Sequence, residues 1–249
     1  VFMLPVIGTM RNLPLDRGTW ALIGARGAFH TVAVALWFFA MARIPLADVT
    51  AMNYLSPVYV TLGAALFLGE RLATRRIIAV IVALVGALII LRPGFRTVES
   101  GHLAMLGTAL FFGGSYLLAK MLSARVSAGV VVAMMSITVT LGLAPMAWAV
   151  WVPPSLTELA ILGGVASFAT AGHYTMTLAF RAAPLSVTQP VTFLQLVWAV
   201  IVGAVFFGEG VDPFVVLGGT VIVAAVSFIA WRETVLRRRG APPVPGSRP

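Results

Sequence analysis

Arg26, His30 and Trp37 fall at helical spacing inside one apolar run, Trp20 to Met41, so positions 26, 30, 33 and 37 share a face. An arginine a third of the way into such a run costs roughly 2.5–3.5 kcal/mol to place in lipid. It therefore needs a partner: an anionic group of a bound solute, the membrane edge, or a charge on another helix. The eight acids, Asp16, Asp48, Glu70, Glu99, Glu158, Glu209, Asp212 and Glu233, all lie at run ends or in connections, so none answers Arg26 from mid-run. His173 and Tyr174 stand in a second run. With His30, His173 offers a proton relay, since imidazole titrates near neutral pH; a satisfied structural histidine is the plainer reading.

Two further runs carry polar groups at matching places, Asn53 and Ser56 in one, Thr192 and Gln195 in the other. Lining of a shared cavity and simple interhelical hydrogen bonding both explain them. Tyr54, Tyr59, Tyr116, Tyr174 and Trp198 present faces on which a planar solute could stack, or pack as ordinary interface aromatics. Glu70 and Glu209 close their runs and read as helix-end caps or gates. Gly86, Gly113, Gly114, Gly163, Gly164, Gly218 and Gly219 read as points of close helix packing. No HExxH, GxSxG or P-loop occurs and the chain has no cysteine, so neither catalysis, a metal site nor a bound cofactor is expected. An intramembrane enzyme would have only His30 and His173 to work with.

These residues sit in a chain that is 60% hydrophobic and 10% charged, with mean hydropathy +1.00. Apolar runs of about twenty residues match a hydrocarbon core of roughly 30 Å, and they do not alternate as barrel strands would. An all-α polytopic membrane protein follows. Spans are expected at Trp20–Met41, Leu46–Leu68, Ile77–Leu91, His102–Leu122, Val130–Trp151, Leu159–Phe180, Leu185–Phe207 and Phe214–Trp231. Val1–Thr9 reads as half of another.

The stretch Pro45–Glu70 aligns without a gap on Pro184–Glu209, 139 residues on, with eight of 26 positions identical, among them Pro45, Leu46, Gly69 and Glu70. Each copy is Pro-led, and proline suits a first helical turn, where its missing N–H costs nothing. The repeat implies two like-built halves, residues 1–94 and 102–231, followed by a disordered cytoplasmic tail at 232–249. The expected whole is a ten-helix inverted repeat of five plus five, here lacking the first helix and part of the second. Counting lysine and arginine in alternate connections puts 13 on one side and three on the other. The rich side should be cytoplasmic, with the C-terminus. The +9 net charge is read as topology rather than nucleic-acid binding.

Ten spans in two halves, each with a Pro-led fourth helix ending in Gly-Glu (Gly69-Glu70, Gly208-Glu209) and a small-residue fifth (Gly86-Ala87, Gly218-Gly219), resemble the drug/metabolite transporter superfamily in its EamA branch. The stretch ALWFFAMARIPLADVTAMNYLSPVYVTLGAALFLGER is similar to S-adenosylmethionine and riboflavin carriers of that branch. The resemblance implies secondary transport of a small metabolite across a bacterial inner membrane by alternating access between the halves. A proton or an exchanged solute would be the second passenger. A structural or regulatory membrane protein that carries nothing is the alternative. The residues set neither substrate, direction nor oligomeric state.

Overall fold

The structure, a computed structural model, describes residues 16–59, 62, 74–92, 94–95, 97–182 and 194–240. Among these, helices run α1 Arg17–Met41, α2 Leu46–Asn53, α3 Thr74–Leu91, α4 Ser100–Ser123, α5 Ala128–Ala149, α6 Leu156–Ala182, α7 Leu194–Phe207 and α8 Pro213–Gly240. α1, α4 and α5 are each long and apolar enough to cross a bilayer. Large apolar side chains face outward along most helices, Trp148, Phe168 and Phe206 among them. A bundle of this kind places them against lipid. The half-span at Val1–Thr9, the repeat's Glu70 end, its Pro184 end and the last nine residues lie outside the described residues.

α1 opens with Asp16, whose carboxylate accepts from the Thr19 hydroxyl and from the Thr19 N–H at 3.1 Å. Those bonds, the hydroxyl's first, hold the Asp16 carboxyl below its ordinary 3.8. Their contribution is present above that value and lost as pH falls through the lowered one. Arg125, in the turn between α4 and α5, reaches Thr19 Oγ1 at 3.3 Å and Asp16 at 3.8 Å, tying this end of the bundle together.

The expected single span Leu46–Leu68 is broken: α2 stops at Asn53, a turn follows at Tyr54–Leu55, and helix resumes at Ser56. Pro57 is the physical reason. It has no N–H to donate to the Asn53 carbonyl four residues back. The Ser56 hydroxyl, itself buried, donates to that carbonyl instead at 2.8 Å. At the other end of the chain, α8 continues past Trp231 to Gly240, so residues 232–240 are helix rather than the expected disordered tail. Arg237–Arg239 are good helix formers, and the next prolines come only at 242 and 243.

α2 lies at the centre of the larger core, with Val49, Ala51 and Met52 fully buried among α3, α4, α7 and α8. A smaller cluster joins α1, α4 and α5 through Ile23, Leu122, Val130 and Val131. The helices paired by the sequence repeat run antiparallel. Leu46 at the start of α2 meets Glu209 just past α7, while Tyr54 at its end meets the Leu196 backbone near the start of α7. Likewise α3 and α8 cross at Gly86 and Gly218 and join again through Arg92 and Asp212.

The Gly86–Gly218 crossing leaves no room for side chains: a Cβ on Gly86 would lie 2.8 Å from the Gly218 carbonyl and 3.1 Å from the Ile222 nitrogen. In lipid, close approach of this kind supplies the packing that a hydrophobic drive supplies in water. Gly163 and Gly164, expected to do the same on α6, face open space, because that helix is exposed along most of its length. Gly86→Ala should therefore destabilise the detergent-solubilised protein by about 1–3 kcal/mol. Gly163→Ala should leave its thermal midpoint unchanged or raised. Equal effects at the two positions would refute the crossing.

Candidate functional site

Arg26 is brought inward by α1 and is only 6% exposed. Its Nη1 donates to the Val131 carbonyl at 2.7 Å, and its Nη2 lies 3.2 Å from Met135 Sδ, both on α5. It thus turns into the bundle and meets no carboxylate among the described residues. Its Nε is buried with no partner among them. A backbone carbonyl and a thioether are weak counterparts for a full positive charge, so the site retains a positive potential and a free donor.

One turn on, His30 shares a hydrogen bond of 3.0 Å between its Nδ1 and Ser115 Oγ on α4. Phe112 meets the His30 ring edge-on at 5.1 Å and stacks on Tyr116 at 6.0 Å. His173 of α6 brings its ring to 5.8 Å from that of His30. Three helices therefore converge on a cluster of one cation, two imidazoles, a phenol and a hydroxyl. α1 can lie this close to its neighbours because Gly114 of α4 makes room for the Phe29 ring and Gly142 of α5 for Thr31.

The remaining sequence candidates divide. Trp37 shares the Arg26–His30 face of α1 but packs against the larger core. Asn53 and Tyr54 sit at the break after α2, where the Asn53 Oδ1 is buried without a partner among the described residues. Tyr174 is 43% exposed, and Gln195 is also exposed, so neither joins the cluster. Thr192 and Glu70 fall outside the described residues. Ser115, Phe112 and Met135 belong to the cluster and were not singled out in the sequence; a lone serine, phenylalanine or methionine in an apolar run carries no signal until helix packing is known.

Away from this cluster, the start of α2 meets the end of α7 through a carboxylate. Pro45 starts α2 but has no side chain able to cap it. Glu209, just past α7, does so instead: its two carboxylate oxygens accept from the Leu46 N–H at 3.1 and 3.0 Å. Gly208, at φ +65°, turns the chain back so that Glu209 can reach. The Glu209 N–H donates to the Gly203 carbonyl at 3.0 Å, and its carboxyl fills the space beside Gly203 that a side chain there would need. A few residues away, Arg92 pairs with Asp212 and lies 4.7 Å over the Phe214 ring.

The EamA-like transporter family model matches residues 1–92 and 99–231. The chain is 29% identical over 236 residues to the pseudopaline exporter CntI of Pseudomonas aeruginosa, covering 90% of this chain and 83% of that protein. It is 32% identical over 219 residues to a riboflavin transporter of Rhizobium johnstonii, covering 87% and 72%. It is 25% identical over 215 residues to an S-adenosylmethionine uptake transporter of Rickettsia prowazekii, covering 84% and 71%. A solved crystal structure superposes with a TM-score of 0.55 at 18% identity, over 90% of this chain and 82% of that one, a likeness of fold alone.

Glu209→Ala should cost about 1–2 kcal/mol, the value of a lost charged cap. Gly203→Ala should cost a similar amount by displacing the same carboxylate. Because both remove one interaction, the double variant should lose little more than either single one in a thermal melt. Additive losses would show that Gly203 does not act through Glu209.

Proposed function

The chain belongs to the EamA-like transporter family, and from that premise we propose that it is a secondary carrier of a small metabolite bearing an anionic group. The carrier works by alternating access between two inverted halves, and the solute's anion meets Arg26. Small-metabolite transport agrees with the names of the relatives. The substrate class rests on one observation: a buried guanidinium with no carboxylate and a partnerless Nε among the described residues. A carboxylate or phosphate oxygen entering beside Arg26 would supply the missing acceptor. His30, Tyr116 and His173 would border the solute, with Ser115 fixing the His30 ring.

Inversion of the halves is supported by the antiparallel runs of α2 against α7 and α3 against α8. A carrier of that build holds its solute near the midplane, between the halves. The charge partition accords with it: Arg43 and Arg92 lie at the end where α2 begins, Arg17 and Arg125 at the end where α1 begins. The arginine-rich end is assigned to the cytoplasm of a bacterial inner membrane, which puts the C-terminus inside. The Glu209 cap then closes the outer end.

Liposome uptake with a panel of labelled metabolites tests the reading, because a structural or regulatory protein moves none of them. In the same assay, Arg26→Gln should reduce flux of the carried anion about tenfold or more, the loss of a charged hydrogen bond worth roughly 1.5–3 kcal/mol. Arg26→Lys, which keeps the charge without the fork, should fall between. Unchanged flux in correctly inserted Arg26→Gln would refute the role.

A further inference from the structure

α8 is longer than a bilayer crossing requires. Its 28 residues extend about 42 Å at roughly 1.5 Å per residue, against roughly 30 Å of hydrocarbon. One end is fixed by contacts. Pro213 follows directly on Asp212, which pairs with Arg92 at the end of α3, and Glu209 a few residues earlier caps α2. About twenty residues from Pro213, or about 30 Å, bring the helix to Arg232. Trp231 stands at that point and is 56% exposed, in the place tryptophan favours at a membrane–water boundary. Trp20, exposed on the first turn of α1, marks the same end of the bundle, and Trp148 and Trp151, exposed where α5 ends, mark the other. Helix length and aromatic belt therefore agree on where α8 leaves the hydrocarbon.

Residues 232–240 form more than two further turns of the same helix. They hold Arg232, Arg237, Arg238 and Arg239 against one acid, Glu233. No linker separates them from the span, so the helix keeps them within about 12 Å of the hydrocarbon edge. Val235 and Leu236 make the intervening turn apolar, which suits the headgroup layer better than bulk water. Arg237, Arg238 and Arg239 are consecutive, and at roughly 100° per residue their positions sweep about 200° around the helix. One face of a folded partner could not engage all three, whereas headgroups surrounding the helix could. The same end of the bundle carries Arg17 and Lys120, both exposed, while its Asp16 is already engaged by Thr19 and Arg125.

We propose that the projecting end of α8 is a docking site for anionic phospholipid headgroups, gathered around Arg237, Arg238 and Arg239. Guanidinium forks match pairs of phosphate oxygens, and a basic segment directly after a span is drawn to an anionic leaflet. The bound headgroups fix the depth of α8 in the bilayer and, through the Arg92–Asp212 joint, that of α3. This site rests on the membrane-spanning character of the chain and not on what the chain carries.

The chain has no cysteine, so a fluorophore on Gly240→Cys reports this end alone. The labelled full chain is placed in phosphatidylcholine vesicles, with a trace of spin-labelled phosphatidylglycerol or spin-labelled phosphatidylcholine as quencher. Phosphatidylglycerol should quench about fivefold or more strongly at low salt, as arginines near an anionic surface would give. The excess should fall as salt is raised toward about 1 M. Arg237→Gln, Arg238→Gln and Arg239→Gln together should erase it, while lysine at the same three positions keeps most of it. The same fluorophore on Gly210→Cys, at the opposite end, should show none. If the glutamine variant does not fold, the salt dependence of the excess decides. Equal quenching by the two lipids, an equal excess at Gly210→Cys, or an excess indifferent to salt or to the glutamine variants overturns the proposal. Loss of the excess to a short oligonucleotide at physiological salt also overturns it, by assigning the arginines to nucleic acid.

Discussion

A polar group that cannot turn to water must find its partner within the protein, and inside a bilayer that rule has few exceptions. Serine and threonine hydroxyls accordingly turn back onto carbonyls of their own helices, while several charged and histidine side chains find partners on a neighbouring helix. Arg26 reaches across to α5, Asp48 is joined to α4 by His102, Glu209 serves the uncapped start of α2, and Arg92 is paired with Asp212 across α3 and α8. The apolar faces between these points hold little orientation of their own, since lipid offers them an equally good surface. Glycines at the α3–α8 crossing and at the contacts of α1 complete the geometry by letting backbones approach.

α2 is where these joints meet. It is short because Pro57 withholds a donor, and it begins without a cap of its own because Pro45 has no side-chain acceptor. Both ends therefore depend on neighbours: Ser56 supplies the missing donor at one end and Glu209 the missing acceptor at the other. The helix is thus held at both ends by groups from outside itself. Its eight residues lack the length to be stable alone.

Much of this was legible in the residues. Apolar run length marked the membrane class, and the Pro-led, Gly-Glu-ended stretches carried the likeness to the EamA-like family that the family model matches. The break in the first copy was hidden because its hydropathy is continuous across Pro57; only the count of backbone donors and acceptors separates one helix from two. The α8 extension was missed because a charged stretch was read as the end of order, although arginine is a good helix former. Gly163 and Gly164 were read as packing residues, yet glycine types alone do not tell a packed face from an exposed one. The His102–Asp48 pair and the Ser115 contact to His30 needed three dimensions, since no sequence spacing links residues 54 or 85 apart.

Alternating access, as proposed above, requires the two halves to part and rejoin where Glu209 holds the start of α2. The chain contains no cysteine, so spin labels can be placed at will, and Ala47→Cys with Gly210→Cys bracket that joint. Pulsed electron–electron distance measurement on the labelled chain in lipid should give two populations, one short and one longer, whose ratio changes with pH or with a carried metabolite. A single short distance under every pH and with every solute would contradict it.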